Sequence, residues 1–193
     1  MKHFLLSVAL VGCVVLPAQA DLTEDFNSAK GSWTTETQVT LPSGKWTFGG
    51  GAQANTSNGV AAIKFNDNGA YMISPAVDSV KSLSFSYRAG GSNKRIAIAY
   101  QIGTGEWQAV DTLLIKSSAS AMSSYSKTIG LDSAKQVRIR LIGLQSNSYV
   151  DDFKMVQGQA GGNTGGGGGS VVPADPEPDF TRPTFVATRN TYY

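Results

Sequence analysis

The chain has 193 residues, of which 41% are hydrophobic and 16% are charged, with a single cysteine and a single histidine. Both of these, Cys13 and His3, lie within the first 20 residues, which have the composition of an export signal. A mature chain without them has no thiol nucleophile, no imidazole base and no Cys/His zinc site. We therefore expect no enzymatic activity from this chain, and any catalysis would belong to a further, downstream domain.

The first 20 residues predict export from the cytoplasm. An apolar run at residues 4–16 is followed by Ala-Gln-Ala at 18–20, the small-x-small pattern that a signal peptidase cuts. This predicts a secreted or periplasmic protein whose mature chain begins at Asp21. In an alternative interpretation, Leu-Val-Gly-Cys is a lipobox and Cys13 carries a lipid anchor, although the residues after it are still apolar. No later segment of the sequence is apolar over the length that a membrane-spanning helix requires.

The charges of the mature chain nearly cancel. The sequence contains 16 Lys and Arg and 14 Asp and Glu, and one of the lysines lies in the predicted signal. Proteins that bind nucleic acid usually carry a strong excess of positive charge, so we expect no direct nucleic acid binding by the folded part. A neutral, sugar-like partner fits this balance better than a polyanion, and we expect the protein to be a monomer.

Alternating apolar and polar residues predict β-strands throughout residues 21–157. The clearest runs are 82–88, 95–102 and 137–141, each with one apolar and one polar face. Further strands are predicted at residues 22–26, 45–48, 60–65, 70–74, 107–115, 125–129 and 149–155. Turn sequences rich in Gly, Asn and Asp separate them at residues 49–51, 66–69 and 103–105. Roughly ten strands and no predicted helix favour a two-sheet antiparallel β-sandwich, a jelly roll.

The composition changes abruptly after residue 157. Residues 158–180 are rich first in glycine and then in proline and acidic residues, which predicts a flexible tether followed by an extended spacer. Residues 181–193 are too few to bury a core of their own. The predicted organisation is therefore a signal peptide at 1–20, one folded domain at 21–157, and a linker and short tail without a stable fold.

Several motifs in residues 21–157 resemble the jelly-roll modules of secreted bacterial proteins, particularly those of Bacteroides-like organisms. Ser74-Pro75 precedes an L-x-F-x-Y strand at 83–87, a glycine-bearing hairpin leads to Trp107, and the last strand contains Tyr-Val-Asp-Asp-Phe at 149–153. The hairpin sequence Ile-Gly-Thr-Gly departs from the more usual S-x-D-G-G pattern. The resemblance implies a fold like that of carbohydrate-binding modules and a non-catalytic role in binding a glycan or another cell-surface ligand.

A second resemblance concerns the end of the chain. Residues 188–193, with the sequence Thr-Arg-Asn-Thr-Tyr-Tyr, look like the beginning of the endonuclease I family of secreted bacterial nucleases. This implies the alternative that the chain is the N-terminal accessory region of a secreted nuclease whose catalytic domain lies downstream. A reading frame that continues into a helical, histidine-bearing domain would favour this alternative over a free-standing binding module.

Three tryptophans are candidates for contact with a sugar, because exposed aromatic rings stack on the apolar faces of sugar rings. Trp33 and Trp46 are flanked by polar residues, so we expect them to form a stacking platform, with burial in the core as the alternative. Trp107 precedes an apolar strand and is in phase with Ala109, so we expect its ring in the core.

Three arginines lie on the polar faces of predicted strands. Arg88, Arg138 and Arg140 alternate with apolar neighbours, which places their side chains toward solvent. A guanidinium group there can make two-pronged contacts with an acidic sugar or a carboxylate. The alternative is that these charges only keep the sheet soluble.

Two acids in the first and last predicted strands suggest a metal site. Glu24 is in phase with Leu22 and Phe26, and Asp151 with apolar residues of its own strand, so both are expected to point inward while Asp152 points outward. Unpaired buried carboxylates are costly, and hard oxygen ligands suit calcium. Because the terminal strands of the resembled modules often share a structural calcium ion, we predict Glu24 and Asp151 as its ligands; the alternative is that water or backbone amides satisfy both acids.

Overall fold

The computed structural model describes residues 20–56 and 61–158. The predicted signal peptide, the lipobox alternative, nearly all of the linker and the nuclease-like tail lie outside those residues. In the described ranges no helix is long and apolar enough to cross a membrane. The described residues form strands only: β1 (Leu22–Glu24), β2 (Ser32–Trp33), β3 (Thr37–Leu41), β4 (Gly44–Gly49), β5 (Ala52–Asn55), β6 (Ala62–Phe65), β7 (Tyr71–Ile73), β8 (Val80–Ala89), β9 (Lys94–Ile102), β10 (Gln108–Ile115), β11 (Ser123–Leu131), β12 (Val137–Gly143) and β13 (Ser148–Gln157).

These strands form two antiparallel sheets packed face to face. The first sheet has the order β11-β8-β13-β6-β5-β2, with β1 also paired to β13, and the second has the order β10-β9-β12-β7-β4-β3. Most strands that are neighbours in a sheet are not consecutive in the sequence, as in a jelly roll. The predicted two-sheet sandwich is confirmed, although β2, β3 and β5 were not expected. β3 is an edge strand whose sequence is mostly polar, so its apolar alternation is weak.

The core between the sheets is built around Trp46, whose side chain is fully buried. Phe26 and Phe153 meet its ring edge-on, with ring centroids 5.1 and 5.0 Å away, and Phe48 lies parallel to it at 6.3 Å. Trp33 is also buried and stacks on Phe48 at 4.3 Å. These rings belong to one apolar cluster that joins both sheets.

The prediction that Trp33 and Trp46 form an exposed stacking platform is therefore wrong. Lys45 and Thr47, the polar neighbours that suggested exposure, flank Trp46 in β4 and lie on the opposite face of that strand. Successive side chains of a strand point to opposite faces, so a ring that faces the core has outward-facing, polar neighbours in the sequence. Burial of such rings supplies a large part of the hydrophobic stabilisation of the domain.

A bulge interrupts β13. Asp151 pairs with Ser86, and the next aligned pair is Lys154 with Ser84, so β13 advances three residues while β8 advances two. Asp152, inside the bulge, has a φ angle of 46°. An extra residue in a strand reverses the side-chain alternation that follows it. The prediction that Asp151 and the apolar residues after it share one inward face is wrong for this reason.

Candidate functional site

The outer face of the second sheet is an open surface on which strand register lines up side chains from five strands. One row crosses the sheet through Gln38, Thr47, Ile73, Arg140 and Ala99. All five side chains are exposed or half-buried. A parallel row contains Gly49, Tyr71, Ile142 and Ala97. We call this surface, together with Trp107 and Arg138, the second-sheet outer face.

Trp107 is half-buried on this face and lies against Arg140. The guanidinium carbon of Arg140 is 4.3 Å from the centroid of the indole ring, a cation–π contact. Nε of Arg140 is buried and has no hydrogen-bond partner, and burial lowers the pKa of this guanidinium. The arginine and the indole therefore hold each other in place, with the ring partly open to solvent.

The expectation that Trp107 lies in the core is wrong. Its phase relation to the apolar part of β10 is broken, because the register of β10 on β9 shifts between Ala109 and Asp111. Trp107, two residues before Ala109, keeps the outward position of that residue, whereas Leu113 beyond the bulge packs against the core. A bulge is invisible to a simple alternation count, so sequence reasoning assigned the indole to the wrong side.

Tyr71 is a second aromatic residue on this face, and sequence reasoning did not single it out. Its ring lies on Gly49, where an added Cβ would come within 2.6 Å of the ring. The Tyr71 hydroxyl donates a hydrogen bond to Oε2 of Glu36 at 2.8 Å, and burial together with this carboxylate raises the pKa of Tyr71. Its outward phase relative to buried Met72 was the available sign of its position.

Arg138 lies two residues before Arg140 and also points to the outer face. Its Nη2 donates hydrogen bonds to Oε1 of Gln101 at 2.6 Å and to the carbonyl oxygen of Gly103 at 3.3 Å. A groove of about 580 Å³ begins beside this guanidinium and runs over the exposed side of β4. The predicted outward placement of Arg138 and Arg140 is confirmed, and their contact with a ligand stays a prediction.

Arg88 belongs to a different surface. It lies on the outer side of the first sheet, where its guanidinium carbon is 3.8 Å from the ring centroid of Tyr149. Arg88 is only 7% exposed, and its Nη2 has no hydrogen-bond partner. The expectation of a solvent-facing arginine is wrong here, because the neighbouring strand supplies an aromatic ring that covers it. Arg88 therefore does not share a site with the arginines of β12.

Glu24 faces the core and is satisfied by protein donors. Its Oε2 accepts hydrogen bonds from the backbone N and Oγ of Ser43, at 3.1 and 2.6 Å, and its Oε1 accepts one from the backbone N of Phe26 at 3.3 Å. The indole Nε1 of Trp46 in turn donates to Oγ of Ser43 at 2.8 Å. The carboxylate thus ties β1 to the turn between β3 and β4. For Glu24 this agrees with the alternative to calcium binding, in which the protein's own donors satisfy the acid.

Asp151 takes no part in these hydrogen bonds. Its Oδ1 accepts a hydrogen bond from the backbone N of Asp152 at 2.8 Å, and burial, with the charges of Asp152 and Asp25, raises the pKa of the Asp151 carboxyl to about 6. Ser86 donates to Oδ2 of Asp152, so both acids lie near the outer side of β8, contrary to the predicted opposite directions.

The structure does not bring the two predicted calcium ligands together. Glu24 is opposite Phe153 on the inner side of the first sheet, whereas Asp151 aligns with Ser86 on the outer side. In residues 20–56 and 61–158, no group of three or more His, Cys, Asp and Glu side chains could hold a metal ion. This placement does not favour Glu24 and Asp151 as ligands of one ion, and calcium binding by the chain stays a prediction.

Comparison with known proteins identifies the fold. No family model and no curated protein matches the sequence. The xylan-binding CBM22-1 domain of Paenibacillus barcinonensis Xyn10C aligns with a TM-score of 0.52 and 10% identity, covering 76% of this chain and 100% of that one. The K2 cleaved adhesin domain of Lys-gingipain also has a TM-score of 0.52, with 13% identity, covering 72% of this chain and 100% of that one. At such low identity the likeness establishes the β-sandwich fold of carbohydrate-binding modules, as the sequence motifs implied.

Proposed function

We propose that the folded domain is a non-catalytic module of a secreted protein and that it binds a carbohydrate on the second-sheet outer face. The observation that carries this proposal is Trp107, a half-buried indole fixed against Arg140 on an open sheet surface. An aromatic ring already held in place loses little conformational freedom when a sugar stacks on it. The likeness to carbohydrate-binding modules supports the proposal at the level of fold.

Each group on this face has a role in the proposed complex. The indole of Trp107 stacks on the apolar face of one sugar ring, and Arg140 donates to its hydroxyl groups. The row that contains Arg140 continues through Ala99 to Ala109, two small side chains, and Ala109 lies two residues after Trp107 in the sequence. Gln38 and Thr47, at the other end of the same row, offer donors and acceptors to further sugar units. A chain of several sugars therefore fits across the sheet better than a single monosaccharide.

A glycan array with the purified domain, followed by affinity electrophoresis of the positive glycans, tests the proposal. We expect Trp107→Ala to weaken binding by about tenfold or more, since one stacking contact contributes on the order of 1–2 kcal/mol. Trp107→Phe should retain part of the affinity. The matched control is Ile102→Ala, which truncates an apolar side chain that is 40% exposed near the same hairpin.

Far-ultraviolet circular dichroism must show that each variant is folded. Equal binding by Trp107→Ala and the parent protein would overturn the proposed location of the site. Failure of the parent protein to bind any glycan on the array would overturn carbohydrate binding itself.

A further inference from the structure

The groove beside Arg138 differs from the rest of the domain in its charge. Two cations, Lys45 and Arg138, line it on opposite sides, and the remaining lining consists of neutral side chains and backbone, including Gln38, Thr47 and Thr104. No carboxylate lines the groove. The chain as a whole is close to neutral, whereas this groove carries a local excess of positive charge.

Two acids on the segments around this groove, Glu36 and Asp78, are engaged by other groups. Glu36 accepts the hydrogen bond of Tyr71. Asp78 pairs with Nζ of Lys135 at 3.0 Å and accepts a hydrogen bond from the backbone N of Gln136. The three ion pairs of the described residues involve Lys127, Lys135 and Lys154, so neither groove cation takes part in one. Within the part of the chain that the structure describes, neither groove cation is therefore paired with a carboxylate.

Arg138 is also held in a fixed orientation. Its Nη2 is anchored on Gln101 and Gly103, and Gln101 in turn donates from Nε2 to the carbonyl oxygen of Gly105 at 2.6 Å. These contacts use one terminal nitrogen of a group that has five N–H donors. A guanidinium whose plane is fixed by protein acceptors presents its remaining donors at a defined angle, as two-pronged recognition of an anion requires.

We propose that this groove holds an anionic group on the bound glycan, the carboxylate of a uronic acid or a sulfate ester. The inference rests on the proposed carbohydrate function and names the class of sugar. Arg138 supplies paired N–H donors to the oxygens of the anion, and Lys45 supplies a second positive charge from the opposite wall. Trp107 and Arg140, on the same outer face, hold the neighbouring sugar of the chain. The site is thus selective for a charged sugar within a longer polymer.

The test compares charged polysaccharides with uncharged counterparts of the same backbone. Polygalacturonate, alginate and glucuronoxylan carry carboxylates, and the counterparts are methyl-esterified pectin and the two carboxyl-reduced polymers. Dextran sulfate and dextran form the sulfate pair. Affinity electrophoresis and calorimetry measure binding to the parent domain and to Arg138→Gln, Arg138→Lys and Lys45→Gln, with Lys81→Gln on the first sheet as the control.

We expect at least one charged polymer to bind about tenfold or more tightly than its counterpart, with an affinity that falls as salt is raised. Arg138→Gln should remove most of this preference, Arg138→Lys should restore only part of it, and Lys81→Gln should leave it unchanged. The carboxylate and sulfate pairs separate the two sources of the anion. Circular dichroism and thermal unfolding establish that the variants are folded.

Two results would overturn the inference, and they differ in what they say about the proposed function. Equal binding of charged and uncharged polymers, lost in Trp107→Ala, would leave carbohydrate binding in place and remove the anion site. Absence of binding to every polymer by the parent domain would contradict the anion site, and the neutral glycans of the array then decide carbohydrate binding separately.

Discussion

The core around Trp46 and the second-sheet outer face around Trp107 use the same side chain for opposite purposes. Trp46 is fully buried among other core side chains, and its indole N–H donates a hydrogen bond to Oγ of Ser43. Trp107 touches a guanidinium on one side and is partly open on the other. Strand phase, and the bulges that shift it, therefore decide whether a tryptophan stabilises this sandwich or is available to a ligand.

Truncation of the core tryptophan should destabilise the domain most. Trp46→Ala should lower the free energy of unfolding by about 3–5 kcal/mol, because it removes the ring that Phe26, Phe48 and Phe153 surround. Trp107→Ala should lower it by about 1 kcal/mol or less, since only part of that ring is buried. Urea unfolding of both variants measures the two losses of stability, and similar losses would contradict the different roles of Trp46 and Trp107.

Glu24 offers the next largest effect, because its carboxylate is the acceptor for three protein donors in a buried position. Glu24→Gln places an amide N–H₂ among those donors and should destabilise the domain by about 1–3 kcal/mol. The control is Glu36→Gln on the outer face, which should change stability by less than about 1 kcal/mol. Equal stabilities of the two variants would show that the Glu24 network contributes nothing to folding.

Gly49→Ala should disturb the outer face more than the core. The added methyl group would overlap the ring of Tyr71 and force it away from Glu36, at a cost of about 1 kcal/mol or somewhat more. The indole N–H signal of the buried Trp46 in a proton–nitrogen NMR spectrum should stay unchanged while glycan binding weakens. Unaltered binding with an altered core signal would mean that Gly49 supports the sandwich and not the proposed site.

The smallest effects concern pH and separate two aspartates. Because the pKa of Asp151 is raised to about 6, the folded state binds its proton more tightly than the unfolded state, and stability should fall as pH rises from about 4 to 6. Asp111 has a lowered pKa, owing to hydrogen bonds from the backbone of Thr112 and from Tyr125, so its contribution should be lost as pH drops below about 4. Denaturant unfolding across this pH range measures both effects. The Asp151→Asn variant should lose the fall in stability between about pH 4 and 6, and the Asp111→Asn variant should lose the fall below about pH 4.

The same unfolding measurements examine the calcium prediction. An ion shared by Glu24 and Asp151 would raise the midpoint on addition of calcium and lower it with chelator, and Asp151→Asn would abolish both shifts. The structure, with these acids on opposite sides of the first sheet, predicts no calcium-dependent shift that requires both of them. A shift abolished equally by Asp151→Asn and Glu24→Gln would contradict that placement.

The sequence was sufficient for the fold because period-two alternation marks half-buried strands directly. Strands β8, β9 and β12 were predicted within a few residues, and Arg138 and Arg140 were correctly placed on an outer face. These are long strands without an interruption between the residues concerned. Alternation along one strand is a local property, so it can be read without knowledge of the neighbouring strands.

The candidate site was harder to predict because it depends on register between distant strands. Because of the bulge in β10, Trp107 faces outward although the apolar residues later in that strand face the core. Because of the bulge in β13, Asp151 and the core residues after it lie on different sides of the sheet. Tyr71 became prominent only when Gly49 and Glu36 were brought beside it by pairing of β4 with β7. Flanking residues do not encode such pairings, which arise from the tertiary arrangement of the sheet.

The three tryptophans of the chain allow one direct test of where a ligand binds. Each indole N–H gives its own signal in a proton–nitrogen NMR spectrum, and Trp→Phe variants assign the three signals. On titration with a glycan that binds the domain, we expect the Trp107 signal to shift strongly while those of Trp33 and Trp46 stay nearly in place. Saturation of the domain with the Trp107 signal unmoved would contradict the account that the second-sheet outer face is the binding site.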